Sequence, residues 1–218
     1  MNKSSLAKTS PYPFEIKVTS AEGIYIYDQK NKPFIDLISG IAVSNLGHQN
    51  KDVIAAIKNQ VDKHLHVMVY GEYHQSIQNE LSEKLASILP KGLDVLYPVN
   101  SGTEANEAAI KLAKRATGRT KIISFKGAYH GSTHGSLSIS GNEEKKYAFR
   151  PLLPNIYHID FNNIDHLSEI DATTACVIIE PIQGEGGIRV LPEPFLREIK
   201  KICDEKDVLL ILDEVQCG

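Results

Sequence analysis

Nothing in this chain of 218 residues suggests a disulfide framework. The three cysteines, Cys176, Cys203 and Cys217, are scattered, odd in number and form no C-x-x-C pair, which favours a reducing compartment. A basic excess is also missing. Formal net charge is −3 and no Lys/Arg cluster interrupts that balance, so a nucleic-acid surface is not expected. No apolar run approaches membrane-spanning length. The polar start (Asn2, Lys3, Ser4, Ser5) has no apolar stretch behind it of the kind a secretory signal needs. Neither G-x-x-x-x-G-K-[ST] nor G-x-G-x-x-G occurs, which leaves nucleoside triphosphate and dinucleotide readings without a motif. Internal repeats and low-complexity tracts are absent as well. A cytoplasmic globular chain remains, long enough for one domain or one and a half with a sizeable core.

Residues 1–13, with Pro11 and Pro13, read as a loosely held arm. Short runs at Phe14–Thr19, Gly23–Tyr27 and Pro33–Leu37, with a turn at Asp28–Lys32, predict a small antiparallel meander. Amphipathic spacing predicts helices over Asn50–Lys63 and Ser76–Leu89, the second stopped by Pro90. The aromatic- and histidine-rich stretch His64–His74 between them fits neither pattern. From Asp94 onward strands and helices alternate. Strands are expected at Asp94–Val99, Lys121–Phe125, Asn155–Ile159, Cys176–Ile179 and Val208–Leu212. Helices are expected at 103–117, around Ile164–Glu169 and at Pro194–Lys206, with a glycine-rich turn after Phe125. Apolar strands alternating with helices indicate an α/β fold, a mostly parallel sheet covered on both faces. Ligands of such sheets lie beyond the carboxyl ends of the strands. This organisation divides the chain into an arm with a small antiparallel segment, 1–50, and a large domain, 51–218.

Candidate chemistry collects at those strand ends. In Asn100-Ser101-Gly102-Thr103-Glu104-Ala105-Asn106, Ser101 and Glu104 have capping-box spacing. Small or apolar residues at 105, 108, 109, 112, 113 and 116 mark one helical face, closed by Gly118. The Ser-Gly-Thr turn offers free amides, hydroxyls and the positive end of a dipole, which suits a phosphate as well as an ordinary cap. Tyr129, among glycines, is placed to lie flat on a planar ligand or simply to pack. Asp213 follows a wholly apolar strand, where a carboxylate needs a partner: a cap, a salt bridge, a metal or a cationic ring nitrogen. Gln216 has an amide to offer the same ligand. His130 and His134 have zinc-helix spacing but no intervening glutamate, so no metal is expected. A phosphorylated planar cofactor with a protonated ring nitrogen uses the turn, the aromatic, the carboxylate and the amide together. Pyridoxal 5'-phosphate is such a group.

These motifs resemble the class III aminotransferases, the acetylornithine/ornithine-type subgroup of fold-type I pyridoxal phosphate enzymes. Carrying the resemblance are Gly40-Ile41-Ala42-Val43 with Leu46-Gly47-His48, Asn100–Ala108, Tyr129-His130-Gly131, Glu180–Gly187 and Leu212–Gly218. It implies that Ser101, Gly102 and Thr103 hold the phosphate. Tyr129 then stacks on the ring, His130 supports that loop, Asp213 pairs with the ring nitrogen, Val215 presses the other face and Gln216 reaches the phenolic oxygen. Glu185 matches a glutamate that pairs with a substrate-binding arginine and swings aside for the second substrate. Two departures weaken ornithine specificity: Ser132 stands where an arginine usually helps bind a substrate carboxylate, and Ile41 where the ornithine enzymes have a tyrosine.

The resemblance further implies a cytoplasmic homodimer that moves an amino group from an amino acid or amine to a 2-oxo acid, with 2-oxoglutarate as the expected acceptor. An aminomutase, epimerase or decarboxylase of the same fold, a non-catalytic cofactor-binding subunit and a general phosphate-binding protein are the alternatives. The family's Schiff-base lysine lies beyond Asp213–Gln216, and nothing in this chain occupies its place. Lys126 is the nearest lysine by position, with nothing to support it as a substitute. The expectation is therefore an N-terminal portion of a longer protein, or half of a split one, inactive alone, with an incomplete sheet and an orphan strand at 94–99.

Overall fold

A computed structural model describes residues 5–68 and 71–218; residues 1–4 of the expected arm and residues 69 and 70 of the His64–His74 stretch lie outside the described residues. The chain forms two compact units, Met1–Asn79 and Glu80–Gly218. In the first, β1 (Val18–Glu22), β2 (Tyr25–Asp28) and β3 (Pro33–Ile35) make the expected antiparallel meander. Asp28 Oδ1 accepts the amides of Lys30 and Lys32 at 2.8 and 2.9 Å, and Asn31 takes a φ of 57°, closing the turn. A tight turn, α1 (Ser39–Ala42), holds Ile41 at φ 66°, a conformation that β-branched residues rarely adopt. Helix α2 (Lys51–Lys63) is capped by Asn50, whose side chain accepts the Asp52 and Val53 amides. Helix α3 (Ser76–Ile88) follows, its residues from Glu80 on belonging to the second unit. Both helices are amphipathic as expected, yet neither has a buried residue.

The second unit is the α/β part. Its order is α4 (Gly102–Thr117), β4 (Lys121–Phe125), α5 (His134–Ile139), β5 (Ile156–Ile159), β6 (Thr174–Ile179), the hairpin β7 (Ile182–Gln183) with β8 (Arg189–Val190), α6 (Glu193–Glu205) and β9 (Leu209–Leu212). The main sheet runs β5-β4-β6-β9, all parallel. Side chains alternate across it. Ile122, Cys176 and Ile178 pack with Ile110, Ala113 and Ile139 on one face. On the other, Ile123, Phe125, Val177 and Ile179 pack with Phe195, Ile199 and Cys203 of α6. Each large apolar side chain so buried contributes about 1.5–3 kcal/mol, and the burial of all six residues of β6 accounts for its apolar run from Ala175 to Ile179.

Two expectations, the strand at 94–99 and the apolar stripe of α4, need correction, and two features, helix α5 and the edge position of β9, had no counterpart in the sequence reading. Residues 94–99 form no strand; none of the four parallel strands pairs with them, and Val95 is 90% exposed. An apolar run becomes a strand only beside a neighbour that completes its hydrogen-bond ladder. The glycine-rich segment after β4 contains a short helix, α5, too brief to show a helical period in the sequence. Strand β9 is an edge, not an enclosed strand, and leaves Leu209 and Leu212 partly exposed. The buried face of α4 is Asn106, Ile110 and Ala113; Leu112, counted with the apolar stripe, is 65% exposed.

Candidate active site

Parallel register brings the ends of β4, β6 and β9 to one edge of the sheet. Ile179 pairs with Leu212, so Glu180 and Asp213 leave the sheet side by side. The Asp213 amide donates to the Ile179 carbonyl at 2.9 Å, carrying the ladder one residue further and fixing the aspartate's backbone.

The Asp213 side chain is almost fully buried and densely bonded. Its Oδ2 accepts His130 Nδ1 at 2.7 Å and Asn106 Nδ2 at 2.8 Å; Oδ1 accepts the Val215 amide at 3.2 Å. Burial alone pushes this carboxyl up. The His130 hydrogen bond and electrostatic pull, with the Asn106 and Val215 bonds, outweigh it and hold the carboxyl below its ordinary value. A carboxylate only accepts, so His130 carries its proton on Nδ1. That leaves His130 Nε2 buried without a partner among the described residues. Glu180, next to it, shows the opposite balance. Burial raises its carboxyl despite the Tyr129 amide that it accepts at 3.0 Å.

The turn before α4 forms as its sequence predicts. Ser101 Oγ accepts the Glu104 amide at 3.3 Å, the forward half of a capping box, and Glu104 Oε2 reaches back one residue past the cap to accept the Asn100 amide at 2.8 Å. Gly118 closes the helix at φ 68°. The turn reaches the Asp213 segment directly: a Cβ on Gly102 would lie 2.6 Å from Val215 Cγ1. Thr103 is occupied otherwise. Its hydroxyl meets Thr133 Oγ1 at 2.7 Å and accepts the Thr133 amide at 3.2 Å, so what it has left for an anion is its backbone amide. Gly131, at φ 123°, leaves no room for a Cβ, which would stand 2.3 Å from Thr103 Oγ1. Tyr129, His130 and the turn are thereby locked into one cluster.

Around Tyr129 the surface is more open. Its hydroxyl lies 3.2 Å from Ser132 Oγ, and Lys145 Nζ sits 5.0 Å from the ring centroid. Lys145 also pairs with Glu185 at 2.5 Å. These residues line a cleft of about 600 Å³ that takes in neither Asp213 nor Ser101–Thr103. Gln216 approaches the turn between β7 and β8, since a Cβ on Gly184 would meet its Oε1 at 1.9 Å. Lys126 is held by Asp160 at 2.6 Å, and His134 Nε2 by the Pro151 carbonyl at 3.0 Å. The described residues hold no cluster of metal-ligating side chains and no helix long and apolar enough to cross a membrane. Burial pushes the Cys176 and Cys203 thiols up to about 12 and 11, whereas Cys217 is partly exposed.

Sequence reasoning placed Asp213, His130, Tyr129, Gln216 and the Ser101 turn at one edge, and the structure brings them together there. It missed three partners. Asn106 bonds Asp213. Glu180 holds the Tyr129 amide. Glu107 Oε1 accepts the Thr133 hydroxyl and the Gly135 and Ser136 amides at 2.6, 2.7 and 3.1 Å, capping α5 from α4. For Asn106 a signal existed, a polar residue among the small ones of the α4 face.

A parallel sheet covered on both faces, with a capped helix start and a buried charged aspartate at its carboxyl edge, is the α/β architecture of the fold-type I transferases. The chain belongs to the class-III aminotransferase family, whose model matches residues 6–218. It is 43% identical over 206 residues to an acetylornithine aminotransferase of Methanopyrus kandleri, covering 94% of this chain and 52% of that protein. It is 38% identical over 203 residues to a [LysW]-aminoadipate semialdehyde/glutamate semialdehyde transaminase of Sulfurisphaera tokodaii, covering 93% and 52%. Among solved structures, an ornithine aminotransferase from Toxoplasma gondii with partial occupancy of pyridoxal phosphate superposes with a TM-score of 0.83 at 26% identity, covering 96% of this chain and 51% of that one. The chain spans about half the length of these relatives.

Proposed function

We propose that this chain supplies the phosphate- and ring-binding part of a pyridoxal phosphate-dependent aminotransferase. The observation that carries the reading is the state of Asp213, buried yet kept ionised beside the capped start of α4. The residues fit the cofactor. Asp213 Oδ1 accepts a single amide and keeps lone-pair capacity for a ring N–H. The Gly102 and Thr103 amides have no acceptor among the described residues.

Pyridoxal phosphate, when bound, supplies an electron sink for bonds broken at the amine-bearing carbon. Asp213 would hold a proton at the ring nitrogen, which deepens that sink. Ser101, Gly102 and Thr103 would hold the phosphate at the helix start. Tyr129 and Val215 would orient the ring from its two faces, His130 would keep Asp213 in place, and Gln216 would reach the phenolic oxygen. Glu185 would face the substrate across the Tyr129 cleft. In this reading residues 51–218 provide the large cofactor-binding domain and residues 1–50 the arm and small antiparallel segment. The active protein is a cytoplasmic homodimer. It transfers an amino group from an acetylornithine-, ornithine- or ω-amino acid-like donor to a 2-oxo acid such as 2-oxoglutarate. Support comes from family membership and from transaminase relatives whose names differ in substrate.

The test is 2-oxo acid-dependent amino transfer by the full-length protein loaded with pyridoxal phosphate, with Asp213→Asn beside it. Removing the charge is expected to cut turnover at least about a hundredfold, the scale of losing one electrostatic contact at a reacting group. Amino transfer unaffected by Asp213→Asn would overturn the reading. So would the conversion of amino acids with no 2-oxo acid requirement, as in a mutase, epimerase or decarboxylase.

A further inference from the structure

We infer that Asn106 is a positioning residue that ties Asp213 to the helix whose first residues form the phosphate turn, so that α4 sets the separation between the two cofactor anchors. The inference rests on the pyridoxal phosphate reading above and assigns a role to a residue that neither the family motif nor the comparisons give one.

Asn106 is 5% exposed. Its Nδ2 donates both protons, one to Asp213 Oδ2 and one to the His130 carbonyl, each at 2.8 Å. Asparagine is a poor residue for a helix interior, and a buried amide is costly unless bonded. Alanine or leucine would serve the helix better, so the gain lies in what the amide holds. The same helix meets the same segment a second time, one turn earlier, where Gly102 presses on Val215. Residues 102 and 106 are four apart and share a helical face. Ser101 and Asn106 are five residues apart, about 7.5 Å along a rigid axis. The phosphate turn and the ring-nitrogen carboxylate therefore cannot drift independently. Asp213 is faced by Asn106 from α4, by His130 from the loop after β4, by Glu180 from the end of β6 and by the Val215 amide. Of the four, Asn106 links the carboxylate to the helix that bears the phosphate turn.

The experiment measures affinity rather than turnover, in the full-length protein. Pyridoxal phosphate and inorganic phosphate are each titrated into the apo form of the wild type, Asn106→Leu and Asn106→Asp. Asn106→Leu is expected to weaken pyridoxal phosphate roughly tenfold or more, the scale of a lost hydrogen bond to a charged group. Inorganic phosphate, which uses the turn alone, is expected to bind unchanged. Asn106→Asp keeps the shape. At low pH the introduced carboxyl is protonated and able to donate, so pyridoxal phosphate affinity approaches that of the wild type at the same pH. As pH rises the two carboxylates repel and the variant falls away from the wild type. Equal pyridoxal phosphate affinity in the wild type and Asn106→Leu overturns the inference. Parallel loss of both ligands overturns it too, by reducing Asn106 to a structural staple, and so does an Asn106→Asp profile parallel to the wild type's. A wild type that binds inorganic phosphate but no pyridoxal phosphate overturns the cofactor reading itself, and the inference with it.

Discussion

His158 and Lys146 meet at 3.3 Å, and Lys146 also donates to the Ser140 carbonyl at 2.8 Å. Burial, then the Lys146 charge, pushes the His158 imidazole down to about 4 from 6.5, against weaker opposing pulls from the Ile139 and Ser140 backbone and from Glu143. The folded-state value lies below the unfolded one, so folding favours the neutral ring. That stability is fully present above about pH 6.5 and is lost as pH falls toward about 4, the loss reaching about 3 kcal/mol. Denaturant midpoints at pH 7 and pH 4.5 are expected to show the loss, and His158→Gln to reduce it. Asp213, with its carboxyl lowered, adds to the acid sensitivity in a lower window. At this scale the sequence showed the residues that chemistry requires but not those that hold them. Asp213 and Tyr129 stood out because a carboxylate after an apolar strand and an aromatic among glycines are locally odd. Asn106 and Glu180 act across 107 and 51 positions; a polar residue on the α4 face marks Asn106 as odd, but no local pattern encodes its partner at that span.

The ends of helix α4 were legible, because caps are local: Ser101 accepts the Glu104 amide and Gly118 closes the helix, while its buried face was only partly read. Its cap is a place to measure. Ser101→Ala is expected to cost about 1 kcal/mol of stability, visible as a lowered thermal midpoint, together with weaker phosphate binding. Gly131→Ala is expected to do more damage to the site. A Cβ at that φ of 123° collides with Thr103, so pyridoxal phosphate affinity falls further than in Ser101→Ala, as an equilibrium titration would show. The elements misread or not foreseen were those defined by neighbours. The run 94–99 has strand composition without a partner strand, and the edge position of β9 depends on which strands lie beside it. Helix α5 takes its cap from Glu107 on another helix, which a Gly-Ser-Leu-Ser stretch cannot announce.

Across the whole chain, apolar surface is unevenly covered. Val95, Tyr97, Leu112, Ile57, Leu81 and Leu212 are all more than 40% exposed, while β6 is sealed on both faces. Such surface, with an unpaired apolar edge at β9, invites association. The 218-residue chain expressed by itself is expected to scatter light and bind a hydrophobic dye, and Leu212→Lys to reduce both. A clear, monodisperse solution at tens of micromolar would contradict this.

The three thiols differ in reach as well as in exposure. Two are sealed within the core packing, whereas Cys217 directly follows Gln216, the residue assigned to the cofactor's oxygen. A small alkylating reagent will therefore modify Cys217 first, and its rate will slow as the neighbouring site fills. The protein thus carries its own gauge of occupancy, readable by mass spectrometry before any substrate is known.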